Sequence, residues 1–179
     1  MSLKFLNKKL FLRYAIPCLE VKVERGEMNE EEFKEIVEEF AEGRILSNEE
    51  ITKLFPVAIF HIKKMAEKEK DEIIIDEEVI HRYFLDEHVK VLERYPQKNR
   101  ERCYVLPGRV IKVIGDEAVV ETPFDRKRIS LKLIKDEIKN QDLIGKCLAV
   151  HYSFACVVLN ETECKKLWEK YEKIKNLSC

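Results

Sequence analysis

The chain has 179 residues, of which 45% are hydrophobic and 37% charged, and its formal net charge is -1 at pH 7. This composition is typical of a soluble globular protein with one large core or two small ones. No apolar run is long enough to cross a bilayer, and the start MSLKFLNKKLFLRY lacks the continuous apolar core of a signal peptide. We therefore expect a cytoplasmic protein that does not enter membranes.

The low net charge hides an asymmetry between the two halves of the chain. Residues 1–97 sum to a formal charge of -6, whereas residues 98–179 sum to +5. The hydrophobic period also changes at this point, from the helical period to the period of β-strands. The sequence thus predicts two domains of different kinds, with a boundary between residues 97 and 98.

The first half has the apolar period of α-helices throughout. Residues 3–25 predict one helix, interrupted near Pro17. Apolar residues recur at helical spacing in NEEEFKEIVEEFAEG, where Asn29 is placed to cap the helix. A capping-box pattern begins at Ser47 and opens another helical stretch, in which Pro56 predicts a kink or restart.

A third helix with two histidines completes this half. Asp76 is placed to cap it, and the apolar period continues to about Tyr95. His81 and His88 lie seven residues apart, a spacing that could bring two metal ligands to one face. Structural histidines are the more ordinary interpretation, because the spacing fixes no third ligand. Residues 1–97 are thus predicted to form a small helical bundle with acidic outer faces.

The second half has the patterns of short β-strands. RVIKVI and AVVET flank Gly115 and Asp116, a two-residue hairpin signal, and KRISLKL, KCLAVHY and ACVVL add three further strands. Asn160 and Glu163 form a capping-box pattern for a C-terminal helix with an apolar stripe. These patterns predict a small five-stranded, OB-like β-barrel with a C-terminal helix, so the whole chain is predicted to be α+β.

Six cysteines occur without a CxxC pair or the spacing of a zinc finger, and in a reducing compartment we expect most of them to be free thiols. Those in the predicted strands and the last helix lie in apolar patterns and are expected in the core. Cys103 differs because it lies at the junction of the two halves, beside Lys98, Arg100 and Arg102. Positive charge favours a thiolate. The six are Cys18, Cys103, Cys147, Cys156, Cys164 and Cys179.

The segment RCYVLPGRVIKVIGDEAVVETPFDRKRISLKLI, followed by GKCLAVHYSFACVVLNETE, resembles the hydrogenase maturation chaperone family HypC/HupF. Members of that family begin with a cysteine shortly before a Pro-Gly-x-Val hairpin and later contain a Val-His-x-Gly-Phe-Ala strand. The resemblance covers about residues 102–172, under half of the chain. The positions that fit the pattern are Cys103, Pro107, Gly108, His151, Phe154 and Ala155.

The resemblance implies a small barrel with one helix that acts in the assembly of a metal centre. It implies that Cys103 holds an iron, or an iron that carries cyanide and carbon monoxide. The implied partners are a HypD-like scaffold and the precursor of a hydrogenase large subunit. In two places the chain departs from the pattern: about a hundred residues precede Cys103, whereas the family's cysteine follows the initiator methionine, and Ser153 replaces the family's glycine.

The residues themselves are compatible with this chemistry. A thiolate is the soft ligand that low-valent iron favours, and His151 offers a nitrogen ligand or a thiol partner if its strand lies beside Cys103. Pro107 and Gly108 could hold the cysteine segment at a fixed angle to the first strand. Cys156 is a weaker candidate ligand. A buried structural side chain remains the alternative interpretation for each thiol and for the histidine.

Two other classes of function stay open. The chain could be a protein-interaction adaptor without a metal role, or a small-barrel module for single-stranded RNA that uses the KNRER and DRKR stretches. Nucleic acid is the weaker alternative, because a charge of +5 over the second half is modest. No Gly-rich phosphate loop, nucleophile elbow or paired-carboxylate motif is present, so we expect no enzyme activity. The aromatic residues available for stacking are Tyr104, Phe124, Tyr152 and Phe154.

Overall fold

A computed structural model of the protein describes residues 2–69, 71–93, 100–139 and 141–177. It confirms a mixed α+β protein, and the chain divides into two compact units, Met1–Glu101 and Arg102–Cys179. The predicted domain boundary after residue 97 lies outside the described residues. Within the part of the chain that the structure describes, every helix is too short or too polar to span a bilayer.

The first unit is mainly helical. A 3₁₀ turn at Ile16–Cys18 follows the first helix, at the predicted interruption near Pro17, and a π-helical segment at Arg82–Glu87 joins the last two. The end predicted near Tyr95 lies outside the described residues. The helices are α1 (Lys8–Ala15), α2 (Leu19–Glu24), α3 (Glu30–Ala41), α4 (Asn48–Leu54), α5 (Pro56–Met65), α6 (Glu77–His81) and α7 (His88–Glu93).

Side-chain caps fix the starts of the predicted helices. Asn29 and Asp76 each accept a hydrogen bond from a backbone N–H in the first turn that follows. Ser47 and Glu50 make the reciprocal pair of bonds of a capping box. Pro56 opens α5 directly after α4 ends, so the predicted restart is confirmed.

The expectation of helix throughout this half is wrong at three short strands. β1 (Ser2–Phe5) pairs in parallel with β3 (Glu72–Ile75), and β2 (Glu67–Glu69) pairs with β3 in the antiparallel sense. Periodicity could not reveal them, because β1 and β2 have only four and three residues and β1 finds its partner far along the chain.

Aromatic side chains fill the core of the first unit. Phe11, Tyr14 and Phe84 are fully buried, and the rings of Tyr14 and Phe84 stack with their centroids 5.0 Å apart. The ring of Phe11 packs edge-on against Phe55 at 5.9 Å. These contacts hold α1 against the π-helical segment and the start of α5.

The second unit contains the five predicted strands and the predicted last helix. β7 pairs with both β4 and β8, and β4 also pairs with β5. β5 pairs with β6, and β6 meets β8 at one parallel pair, Ser130 with Phe154. The strand order is β4-β5-β6-β8-β7. The elements are β4 (Val105–Ile114), β5 (Glu117–Glu121), β6 (Arg126–Ser130), β7 (Cys147–His151), β8 (Phe154–Leu159) and α8 (Glu161–Leu177).

β4 connects the sheet because its first half pairs with β7 and its second half pairs with β5. Pro107 lies in the first half, before the pairing with β5 begins. Its missing N–H therefore removes no hydrogen bond to β5. A β carbon on Gly108 would lie 2.7 Å from Cγ2 of Val150 and 3.2 Å from the side chain of Val120. Glycine at this position therefore permits the close approach of β4 to β7 and β5.

Two sequence signals of this unit are confirmed in detail. Gly115, in the turn between β4 and β5, has a φ of +59°, which is the left-handed region that the hairpin signal requires. Asn160 and Glu163 cap α8 reciprocally, each side chain accepting from the other's backbone N–H at 2.9 Å.

The expectation of free thiols is wrong for one pair of cysteines. Cys147 on β7 and Cys164 on α8 form a disulfide, with Cα atoms 6.1 Å apart. Their predicted burial is confirmed, as is that of Cys156, which is not part of a disulfide. The sequence could not reveal the bond, because only the packing of α8 on the sheet brings the two thiols together.

We predict that Gly108→Ala lowers the free energy of unfolding by about 1–3 kcal/mol, because the new methyl group overlaps Val150 and Val120. The measurement is urea unfolding monitored by circular dichroism. Val150→Ala in the same chain removes the nearest clash, so the double variant should lose less stability than the two single variants added together. Additive losses would contradict the close packing described here.

We predict that the disulfide contributes about 3 kcal/mol of stability by restricting the unfolded chain. A dithiol reductant should lower the urea midpoint of the parent protein. The double variant Cys147→Ala/Cys164→Ala should begin at the lower midpoint and show no response to the reductant. An equal midpoint for the parent with and without reductant would show that the bond is absent in solution.

Candidate functional site

Cys103 lies at the end of a 3₁₀ turn, Arg100–Cys103, two residues before β4. Its side chain is 4% exposed. The Sγ atom lies 2.6 Å from the hydroxyl oxygen of Tyr152, and either group can act as the hydrogen-bond donor. The thiol is thus held inside the second unit, at the end of the sheet where β4 begins.

Tyr152 is the residue of this site that the sequence did not reveal as a partner of Cys103. It lies in the turn between β7 and β8, is buried, and has a φ of +51°. It is the one residue other than glycine with a positive φ within the described part of the chain. This backbone conformation costs about 1–3 kcal/mol for a residue with a bulky side chain, so the surrounding contacts must hold it. The neighbouring Ser153, where the resembling family has glycine, was the available signal of a tight turn.

Two cationic groups surround Tyr152. The Nζ of Lys127 donates to the backbone oxygen of Tyr152 at 3.1 Å. The guanidinium of Arg102 lies 5.6 Å from the centre of the tyrosine ring, within the range of a cation–π contact. The structure therefore keeps the predicted positive surroundings through Arg102 and adds Lys127. Lys98 and the side chain of Arg100 lie outside what the structure describes.

His151 lies at the end of β7 and is fully buried. In the sheet register it faces Val105 on β4 and Phe154 on β8. The centroid of its ring lies 5.5 Å from that of Tyr152. Tyr152 thus contacts both Cys103 and His151, and these three side chains form what we call the tyrosine site.

The other positions that fit the family pattern pack the sheet around this site. Phe154 is 7% exposed and Ala155, which pairs with Val150, is fully buried. Cys156 is buried at an irregularity in the register of β8. The turn at Tyr152 separates His151 and Cys156 onto two strands, so the pleat between them is broken.

His81 and His88 belong to the first unit, and each contacts a tyrosine. The Nδ1 of His81 lies 3.1 Å from the hydroxyl of Tyr14, and the Nδ1 of His88 lies 3.4 Å from the hydroxyl of Tyr83. The π-helical segment between the histidines changes the number of residues per turn, so the regular helical spacing does not apply. Each histidine thus has a tyrosine hydroxyl within hydrogen-bonding distance of its Nδ1.

An ion pair ties β4 to the first turn of α8. Both Nη atoms of Arg109 donate to the carboxylate of Glu161 at 3.1 Å. These hydrogen bonds, with the charge of Arg109, hold the pKa of Glu161 below its ordinary value, and they raise the pKa of Arg109. The pair lines an open groove of about 470 Å³ together with Cys164 and Trp168. Because the carboxylate neutralises the arginine, the groove has no strong attraction for an anion.

The groups proposed for RNA stacking are mostly inside the protein. Tyr104, Tyr152 and Phe154 are buried, and Phe124 packs against Tyr171 with ring centroids 6.1 Å apart. The DRKR stretch is also partly neutralised, since its two arginines pair with glutamates of β5. These pairs are Arg126 with Glu121 at 3.5 Å and Arg128 with Glu117 at 2.8 Å. A stacking platform on this face is therefore not favoured.

No family model and no curated protein matches the chain. The chemical interpretation of the tyrosine site consequently depends on its own geometry and on the short motifs of the second unit.

We predict that Cys103 and Cys156 react slowly with a maleimide in the folded protein, whereas the half-buried Cys18 reacts readily. Tyr152→Ala should raise the rate at Cys103 by about tenfold or more, because it removes the side chain whose hydroxyl contacts the buried thiol. Peptide mass spectrometry after a timed pulse measures all three rates in one sample.

Cys156 is the internal control, because general unfolding would raise its rate as well. Tyr152→Phe keeps the ring and should leave Cys103 protected. Reaction of Cys103 as fast as Cys18 in the parent protein would contradict its description as a covered thiol.

Proposed function

We propose that this protein is an accessory protein for the assembly of a metal centre, in which Cys103 holds an iron cargo. The observation that carries the proposal is the covered thiol of the tyrosine site, at 2.6 Å from the hydroxyl of Tyr152. A thiolate is a soft donor that low-valent iron favours, and the neighbouring His151 offers a nitrogen donor. The proposal assigns no catalytic step to the chain itself.

The surroundings of Cys103 suit an iron that carries cyanide and carbon monoxide. Cyanide ligands bring negative charge, and Arg102, beside the ring of Tyr152, and Lys127, at its backbone oxygen, supply positive charge. The tyrosine hydroxyl can donate a hydrogen bond to a cyanide nitrogen once it leaves the thiol. Carbon monoxide needs no donor, and the buried side chains around the sheet end provide an apolar contact.

Access to the buried thiol requires a local movement, and Tyr152 is the residue that we propose moves. The positive φ of Tyr152 strains the backbone of the closed turn. Relief of this strain lowers the free energy needed to open the turn. Movement of Tyr152 would uncover Cys103 without breaking the β4–β7 pairing. An internal cysteine could then exchange its cargo although it is not at the chain terminus.

The architecture proposed for the second unit is an OB-like barrel of the HypC type. The order of the five strands, the return pairing of β7 with β4 and the close packing at Gly108 support it. We propose that the first unit is a helical bundle with an added small sheet, which serves protein docking. The partners proposed from the resemblance are a HypD-like scaffold and a hydrogenase large-subunit precursor, with the exchange taking place in the cytoplasm.

The adaptor interpretation is the main alternative, because a buried cysteine with a tyrosine partner can also serve packing alone. It differs from the proposal in one respect: an adaptor does not need the thiol of Cys103 for its function. Metal binding by the isolated chain therefore separates the two.

We predict that the protein, kept under anaerobic conditions without a disulfide reductant so that the Cys147–Cys164 bond stays intact, binds ferrous iron through Cys103 and retains it through gel filtration, as measured by mass spectrometry of the metal. Cys103→Ser should reduce the affinity at least about tenfold, because it replaces the soft donor. Cys156→Ser is the matched control, since it alters another buried thiol of the same sheet that lies outside the disulfide, and it should leave binding unchanged.

Equal iron content in the parent, Cys103→Ser and Cys156→Ser would contradict the proposal and favour the adaptor. Loss of iron from both variants would show that binding depends on both thiols, which contradicts the assignment of the iron to Cys103 alone. Circular dichroism of each variant confirms that the fold is retained during the comparison.

A further inference from the structure

The end of β4 carries an apolar surface that is exposed to solvent. Within the described residues of the second unit, all the large hydrophobic side chains that are exposed lie here, at the β4–β5 hairpin or in the loop beside it. We call this surface the hairpin edge. Its members are Ile111 (39% exposed), Val113 (37%), Ile114 (39%) and Ile144 (63%).

Hydrogen bonds join the loop to β4 at one point. The N–H of Gly145 donates to the oxygen of Val110, and the N–H of Val110 donates to the oxygen of Lys146, both at 2.9 Å. Ile144 is the neighbour of Gly145 in the loop, and Ile111 is the neighbour of Val110 in β4, so both flank the Gly145–Val110 hydrogen bond. The four apolar side chains therefore belong to one continuous edge rather than to scattered positions.

Beyond this point, β4 pairs with β5 alone among the described strands, since its pairing with β7 ends at Arg109. Ile114 and Glu117 flank the two-residue turn and face each other as the last pair of the ladder. Because facing pairs alternate in an antiparallel ladder, the N–H and C=O of Val113 point away from β5. The hairpin edge thus presents the main-chain N–H and C=O of Val113, and exposed apolar residues precede and follow Val113 along β4.

The charges at the hairpin edge favour an acidic occupant. Lys112 and Lys146 are exposed along it. Two neighbouring acids have basic partners of their own: Asp116 pairs with Lys135 at 3.6 Å, and Glu117 pairs with Arg128 at 2.8 Å. Asp142 is an exposed acid of the same loop and accepts from the N–H of Ile144, and the charge of Lys146 also acts on Glu161, so Lys112 is the main cation of the edge. A second copy of the same edge would bring two lysine side chains together, and like charges on facing strands are destabilising.

We propose that the hairpin edge is a docking site for an extended segment of a partner protein, which adds to β4 as a further strand. The segment has apolar residues at alternate positions, to cover Ile111, Val113 and Ile144, and carboxylates between them, to meet Lys112 and Lys146. Main-chain bonds to Val113 provide affinity, and the alternation provides specificity. This surface is separate from the tyrosine site and does not depend on metal binding.

The test uses two fluorescein-labelled synthetic heptapeptides, one of alternating valine and glutamate and one of alternating valine and lysine, in an anisotropy titration at low salt. The glutamate peptide should bind the parent protein at least about tenfold more tightly than the lysine peptide. Val113→Pro removes an N–H that β5 does not use and should weaken binding by about tenfold, whereas Val113→Thr keeps that group and should bind nearly as the parent does.

Lys112→Glu is a second variant that does not alter the backbone, and it should reverse the preference between the two peptides. Equal affinity for both peptides, or full binding by Val113→Pro, would overturn the proposal. A concentration-dependent dimer in sedimentation velocity that Val113→Pro abolishes would also overturn it, because a second copy of the chain would then be the occupant.

Discussion

Gly108 lies one residue before Arg109, where strand β4 ends its pairing with β7 and begins its pairing with β5, and the side chains of Val150 and Val120 close over it. Any side chain at this position must displace core atoms of both neighbouring strands, so the meeting of three strands depends on a missing β carbon. The tyrosine site continues from two of the same strands. Cys103 precedes β4, five residues before Gly108, and Tyr152 follows β7, two residues after Val150.

The two ends of β4 have different surroundings, so each end can serve a different role. Near Arg109, an ion pair with Glu161 and the disulfide between β7 and α8 fix the sheet to the last helix. The end beyond Val110 has β5 on one side alone and exposes apolar side chains. A rigid anchored region next to an open edge is an arrangement in which a partner strand can be added without disturbing the thiol. The proposed cargo site and the proposed docking edge therefore share one strand but not one surface.

Local signals in the sequence predicted local structure well, as the caps at Asn29, Ser47 and Asp76 and the hairpin turn at Gly115 show. Each of these depends on residues within four positions of one another, so the pattern contains the cause. The three-stranded sheet of the first unit and the Cys147–Cys164 bond depend on packing between distant segments, and the sequence did not reveal them. For the site, Cys103 and His151 were singled out from the motif. The partner that joins them, Tyr152, follows from a turn conformation that no spacing encodes.

We propose that the sulfur of Cys103 holds iron once Tyr152 moves away. X-ray absorption at the iron edge of the anaerobically loaded protein tests it most directly, because the method identifies the atoms bound to the metal. We predict a sulfur scatterer in the parent protein that disappears in Cys103→Ser and persists in Cys156→Ser. A parent spectrum with nitrogen and oxygen scatterers alone would contradict the account, whatever the affinity of the bound iron.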